Sequence, residues 1–164
     1  MPDVRDNFLD QHIHQQIMET MLSEQFPWFY NAGVVDKKPT LDDVGMDYQF
    51  THRFFDGTVV SNYFDLLAPL LNALDYKALI RVKANLNPTT VSVHCPSGYH
   101  TDQSFECKTA LYYINTNDGW TEFESGAKIE SIANRLVVFD TLTDHRGVTC
   151  CDKSVRCLIN INYF

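Results

Sequence analysis

Apolar residues recur every four positions near the start of the chain. Leu9, Ile13, Ile17 and Met21 form one stripe, which predicts an amphipathic helix over residues 6–25. Asp6 stands where a short side-chain oxygen can cap the unpaired first-turn amides. His12 and His14 lie two apart, so on a helix they point to different faces, and both are expected at the solvated surface. Pro27 ends the helix, and Trp28, Phe29 and Tyr30 are expected to pack. Residues 31–47, with Gly33, Pro39 and Gly45 among charges, predict a loop. The period then changes to two. Tyr48, Phe50, His52 and Phe54 alternate with Gln49, Thr51 and Arg53, which predicts a strand. Residues 61–75 predict a helix in two pieces, because Pro69 breaks a continuous helix but suits the first turn of a second one. Residues 79–86 predict a strand with Ile80, Val82 and Ala84 on one face.

From residue 90 short runs follow one another: VSVHC, YHTDQ, KTALYYIN, AKIESI, NRLVVFD, RGVTC and VRCLININYF. Turn residues separate them at Pro96-Ser97-Gly98, Asn117-Asp118-Gly119, Ser125-Gly126 and Asp152-Lys153. Strands at roughly 8–12-residue spacing predict an antiparallel sandwich or barrel. The fold class is therefore α+β, mainly β. No repeat, low-complexity tract or linker divides the chain, so one domain over 1–164 is expected, with 1–78 a mainly helical support for a β core over 79–164.

The composition agrees with a folded globule, at 45% hydrophobic and 13% aromatic over 164 residues. A net charge of −8, from 13 basic against 21 acidic residues, argues against attraction of nucleic acid or an anionic membrane by the overall field. A local basic groove is compatible with it. No apolar run approaches the roughly 18 residues of a membrane span, and MPDVRDNFLDQ is too polar for a secretory signal, so a cytoplasmic protein is expected. Cys95, Cys107, Cys150, Cys151 and Cys157 are odd in number, contain no C-x-x-C and match no zinc spacing, which predicts reduced thiols.

The candidate chemistry lies in His100-x-Asp102, His145 and Arg156. Two histidines and a carboxylate hold Fe(II) by one face and leave the other positions open. On a strand, residues 100 and 102 share a face, so both side chains reach one metal. The turn at 96–98 puts His100 at a strand start, and His145 follows RLVVFD at the barrel mouth. If Asp152-Lys153 is a two-residue hairpin turn, Cys151 opposes Ser154 and Thr149 opposes Arg156. Arg156 then shares a face with His145, roughly 13 Å deeper. A five-carbon diacid and an extended arginine fill that gap, and a guanidinium fork binds a carboxylate through two hydrogen bonds. Thr109, Leu111 and Tyr113 alternate on another strand face, where a threonine and a tyrosine hydroxyl can donate to the same carboxylate.

Residues 81–164 resemble the 2-oxoglutarate- and Fe(II)-dependent oxygenases of the prolyl 4-hydroxylase-like branch, most closely its small bacterial and phage members. The matching text is HTD at 100–102, TALYYIN at 109–115, Trp120 and Gly126, RLVVFD at 135–140, then His145 and Arg156. The resemblance implies a double-stranded β-helix (jelly-roll) core and iron on His100, Asp102 and His145. It implies 2-oxoglutarate held by Arg156, with Tyr113 and Thr109 nearby. The implied reaction uses O₂ to hydroxylate a peptidyl proline, an amino acid or another small molecule, with release of succinate and CO₂. The chain departs from the branch in two places. Ser125-Gly126 stands where paired glycines are common, and Val91 and Ser92 occupy the region of a pocket tyrosine. Asn85, Lys83 and Arg81 on the preceding strand are candidate wall residues in its place. Two other readings use the same ligands: a cupin-like zinc or manganese enzyme, and a non-catalytic metal-binding module. Among oxygenases, nucleic-acid demethylation is the other substrate class, and the charge of −8 argues against it.

Overall fold

The structure is a computed structural model that describes residues 1–33 and 48–164. Period-two patterning dominates the described chain, and strands follow from it: β1 (Asp3–Arg5), β2 (Phe29–Asn31), β3 (Gln49–Asp56), β4 (Leu79–Pro88), β5 (Lys108–Tyr113), β6 (Trp120–Phe123), β7 (Lys128–Glu130), β8 (Leu136–Asp140), β9 (His145–Val148) and β10 (Val155–Tyr163). Two helices accompany them, α1 (Gln11–Met21) and α2 (Ala68–Leu74). The strands form two antiparallel sheets, ordered β1-β8-β5-β10-β4-β3-β2 and β7-β6-β9. The fold is mainly β, as the spacing predicts.

β10 organises the molecule because its residues alternate between two buried faces. Cys157, Ile159 and Ile161 point toward the helices and pack with Val82, Ala84, Tyr112, Ile17 and Leu70. Leu158 points the other way, toward a smaller cluster of Leu111, Phe123 and Phe139 between the sheets. Full burial of an isoleucine or leucine contributes roughly 1.5–3 kcal/mol, so both faces of this strand hold the sheets in place. The residues of β10 that share the inter-sheet face are Arg156, Leu158, Asn160 and Asn162, and register sets Asn87, Asn85, Lys83 and Arg81 of β4 beside them. A polar floor thus runs across the middle of the sandwich.

The first half carries two strands that the sequence pattern does not predict, β1 and β2, which join the large sheet together with the expected β3. Most of the loop expected at 31–47 lies outside the described residues. Helix α1 is shorter than its stripe suggests. Asp10 caps it by accepting from the His12 amide at 2.9 Å, while Asp6 holds Arg135 at 2.6 and 3.0 Å. Phe29 and Tyr30 are 62% and 66% exposed, because β2 is a three-residue strand at the sheet edge. The segment before α2 forms a 3₁₀ turn at Phe64–Leu67, and Pro69 begins the second helix as its position predicts. Among the described residues no helix is long and apolar enough to cross a membrane.

His14 corrects the surface expectation, being only 1% exposed. It precedes Ile17 by three positions and so belongs to the neighbouring row of the same stripe. Its Nδ1 lies 2.7 Å from the Tyr112 hydroxyl, which spends its proton on Asn134 Oδ1 at 2.9 Å, so His14 Nδ1–H is the donor. Burial pushes the His14 and His52 imidazoles below their usual pKa. Both are neutral in the fold, whereas the unfolded chain takes up protons below about pH 6.5. Stability therefore falls as pH drops through that value toward the depressed folded pKa. The melting temperature is expected to be lower at mildly acidic than at neutral pH, and His14→Gln to flatten part of that slope. A melting temperature equal at both would count against neutral buried histidines.

Candidate active site

The floor of the sandwich opens into a solvent-connected cavity whose lining includes Lys83, Asn85, Thr121 and Arg156. His100, Asp102 and His145 meet there, each offering a ligand atom, all within 4.8 Å of one another. The expected strands VSVHC and YHTDQ do not form. The connection between β4 and β5 is irregular and is held to β9 by isolated bridges at Pro96–Val148 and His100–His145. At the second bridge each histidine amide donates to the other's carbonyl, at 3.0 and 3.1 Å, which sets the two rings side by side. His100 Nδ1 faces the Gly98 carbonyl at 3.2 Å and His145 Nδ1 faces the Thr143 carbonyl at 3.0 Å. A carbonyl only accepts, so Nδ1 carries the proton and the Nε2 lone pair is left for a metal.

Asp102 is held from three sides. Asn160 Nδ2 donates to both its oxygens at 3.1 and 2.9 Å, Arg81 Nη2 to Oδ1 at 3.1 Å and Thr109 to Oδ2 at 3.1 Å. Burial alone pushes this carboxyl up, but His145, the Asn160 hydrogen bond and Arg81 outweigh it and hold it below the usual carboxylate range. Burial pushes His145 down, with Asp102 opposing. Two imidazoles and a carboxylate fit an Fe(II) facial triad by donor type.

Arg156 is 2% exposed. Its Nε donates to Ser131 Oγ and its Nη2 to Thr121 Oγ1, both at 2.9 Å. Among the described residues no carboxylate pairs with it. An uncompensated buried charge costs several kcal/mol, and this guanidinium borders the cavity. Asn160, which holds Asp102, lies four residues from Arg156 on the same strand face, roughly 13 Å away. The expected two-residue hairpin at 152–153 does not form. β9 pairs with β6 in the small sheet while β10 lies between β4 and β5, so residues 149–154 cross between sheets.

Register explains two further corrections. Thr109 pairs with Asn162 and sits at the Asp102 end, not beside Arg156. Tyr113 pairs with Leu158 and stacks near Arg156, 5.7 Å from ring centre to guanidinium carbon. Its hydroxyl, however, donates to Thr121 Oγ1 at 2.7 Å, and Thr121 is the residue that faces the cavity. Lys83 and Asn85 line the cavity, and Asn85 Oδ1 has no hydrogen-bond partner among the described residues. Burial, helped by the Arg81 charge, pushes the Lys83 ammonium down to about 8. Arg81 itself is occupied by Asp102. Sequence reasoning missed Asn160, Thr121 and Ser131. Strand parity with Arg156 could have found Asn160; no motif marks the other two.

Gly119 matters to this end of the cavity. A Cβ there would lie 2.7 Å from the Val148 carbonyl and 2.9 Å from Arg156 Cδ. Gly119→Ala is therefore expected to displace Arg156 and destabilise the fold by about 1–3 kcal/mol. A thermal melt checks this, and an unchanged midpoint would mean that the turn relaxes freely.

The fold is that of the 2-oxoglutarate/Fe(II) oxygenases. The chain is similar, over 99% of its length, to a prolyl hydroxylase from Trichoplax adhaerens solved with a hypoxia inducible factor oxygen degradation domain peptide (TM-score 0.67, 16% identity, 83% of that chain covered). It is also similar over 99% of its length to a Pseudomonas putida prolyl-4-hydroxylase (TM-score 0.63, 13% identity, 91% covered). A non-heme alpha ketoglutarate dependent epimerase of nogalamycin biosynthesis shares the fold as well (TM-score 0.67, 14% identity, 99% of this chain and 77% of that one). No family model matches the sequence, and no curated protein matches it.

Proposed function

We propose that this chain is an Fe(II)- and 2-oxoglutarate-dependent oxygenase that hydroxylates a peptide or a small molecule. The observation that carries this reading is Arg156, a buried cation with no counter-ion among the described residues, which opens on the same cavity as His100, Asp102 and His145. A cupin-like hydrolase or a bare metal-binding module would have no use for it. His100, Asp102 and His145 would hold the iron, and iron with 2-oxoglutarate and O₂ supplies the oxidising power for hydroxylation, with succinate and CO₂ released.

The chain's own residues bind, orient and charge the site. Arg156 takes the far carboxylate of 2-oxoglutarate through its fork, with the Thr121 hydroxyl beside it. Tyr113 fixes Thr121 from behind. Lys83 and Asn85 replace the missing pocket tyrosine as polar wall, and Lys83 adds a second cation to a cavity that draws a dianion into an otherwise acidic protein. Arg81, Asn160 and Thr109 keep Asp102 anionic and aimed. A cytoplasmic location is supported by five unpaired cysteines.

The substrate class rests on the neighbours, whose names include prolyl hydroxylases and an epimerase. Succinate release with Fe(II) and 2-oxoglutarate should rise above background on a panel of prolyl peptides, amino acids and metabolites. The responding compound should gain the mass of one oxygen atom. A panel-wide absence of succinate, in protein that binds Fe(II), would count against an oxygenase.

A further inference from the structure

We propose that His94, Asp118 and Cys151 form a second metal site, of the type that takes Zn(II), on the outside of the Arg156 end of the cavity. The three residues come from three separate connections: β4 to β5, β5 to β6 and β9 to β10. They lie far apart in sequence, which is why cysteine spacing gives no sign of them. In the fold, one donor atom of each falls within 4.8 Å of the others. A tetrahedral zinc ion with bonds of about 2.0–2.3 Å holds its ligand atoms about 3.5 Å apart. Closing the cluster therefore requires a shift of about an ångström by side chains on irregular segments.

The surroundings are those of ligands already aimed. Asp118 Oδ1 accepts from the Cys151 and Asp152 amides at 2.7 and 3.3 Å, which leaves Oδ2 free. Oδ2 lies 3.2 Å from His94 Nε2, yet the contact is misaligned and Nε2, shielded from solvent, has no hydrogen-bond partner. The His94 ring is set by contact with Trp120, with ring centres 4.9 Å apart. Cys151 Sγ donates only to the Thr90 carbonyl, at 3.1 Å. Its neighbour Cys150 is buried and turned toward the Lys153 carbonyl, so it does not compete.

Donor chemistry separates this site from the first. A neutral imidazole, a carboxylate and a thiolate carry two negative charges between them, which a divalent ion neutralises, and sulfur favours zinc over Fe(II). Binding releases the Cys151 thiol proton to solvent. His94 and Asp118 are partly exposed, so water fills the fourth position. All three ligands are tied to cavity residues through near neighbours. Gly119, beside Asp118, packs on Arg156; the Cys95 amide, beside His94, donates to the Thr149 hydroxyl at 2.9 Å; and Thr149, two residues before Cys151, also meets Thr90 at 2.6 Å. A bound ion would tie these three connections together behind the anion pocket.

Cobalt(II) tests the proposal, because a sulfur-to-cobalt charge-transfer band reports a site with a thiolate and the His100, Asp102, His145 set has none. With thiols kept reduced, the intact chain should develop this band to saturation, with an intensity that corresponds to one thiolate-bound ion per chain, and Zn²⁺ should bleach it. Cys151→Ser should lose the band. His94→Ala should need about tenfold or more Co²⁺ to reach it. Asp102→Ala should keep it, which separates this site from the triad. No band in the wild-type chain, or a band that survives Cys151→Ser, overturns the proposal.

Discussion

Arg156→Ala is expected to weaken 2-oxoglutarate binding by roughly 30- to 1,000-fold, or about 2–4 kcal/mol, while metal binding stays in place. The magnitude follows from burial. The guanidinium is 2% exposed and donates to the hydroxyls of Ser131 and Thr121, with no carboxylate beside it among the described residues, so an entering carboxylate gains a charge-assisted fork in a dry setting. Arg156→Lys keeps the charge and loses the fork, so its affinity should fall between the two. Without 2-oxoglutarate the near-isosteric Arg156→Met should melt no lower than the native chain, because it removes a buried charge that no carboxylate among the described residues offsets. An ordinary structural arginine would behave in the opposite way. Anaerobic calorimetric titration of the metal-loaded variants separates these outcomes. Unchanged affinity in Arg156→Ala would move the anion to Lys83, the other cation on the cavity wall.

The second large effect is expected at the triad. His100→Ala and Asp102→Ala should each abolish the succinate released from 2-oxoglutarate in the absence of substrate, and should weaken Fe(II) binding by about 100-fold or more. The two variants should differ in stability. Loss of Asp102 leaves Arg81, Asn160 and Thr109 without the oxygens they share, whereas loss of His100 removes one contact to a carbonyl. Asp102→Ala should therefore melt lower than His100→Ala. Succinate release that survives either change in metal-defined buffer would disprove the triad.

Much of this arrangement was legible in residue order, and the failures have physical causes. Alternation found β4 and β10, and Pro69 placed the start of α2, because these signals are local. The ligands were legible as residue types, but their support was not. Asp102 depends on Asn160 and Arg81, and Arg156 on Ser131 and Thr121, all partners brought in by sheet pairing over long separations. The hairpin expected at 152–153 failed because a turn dipeptide fixes a local bend and cannot say which sheet the next strand joins. His14 was misplaced because spacing of four describes one row of a helix, whereas its buried face spans two. Thr109 was assigned the right face and the wrong end, since parity carries no information about direction along a sheet.

The paired backbone hydrogen bonds between His100 and His145 have a thermodynamic consequence. One histidine belongs to a strand, and the other to an irregular connection held to it by isolated bridges. If that connection detached, it would carry His100 and Asp102 away together and leave His145 behind. Ordering of the connection and ion binding are therefore linked equilibria, so that each tenfold gain in metal affinity corresponds to about 1.4 kcal/mol of added order in residues 89–107. Residues there that lie outside the triad, such as Thr90 and Pro96, thereby acquire leverage over how firmly the ion is retained.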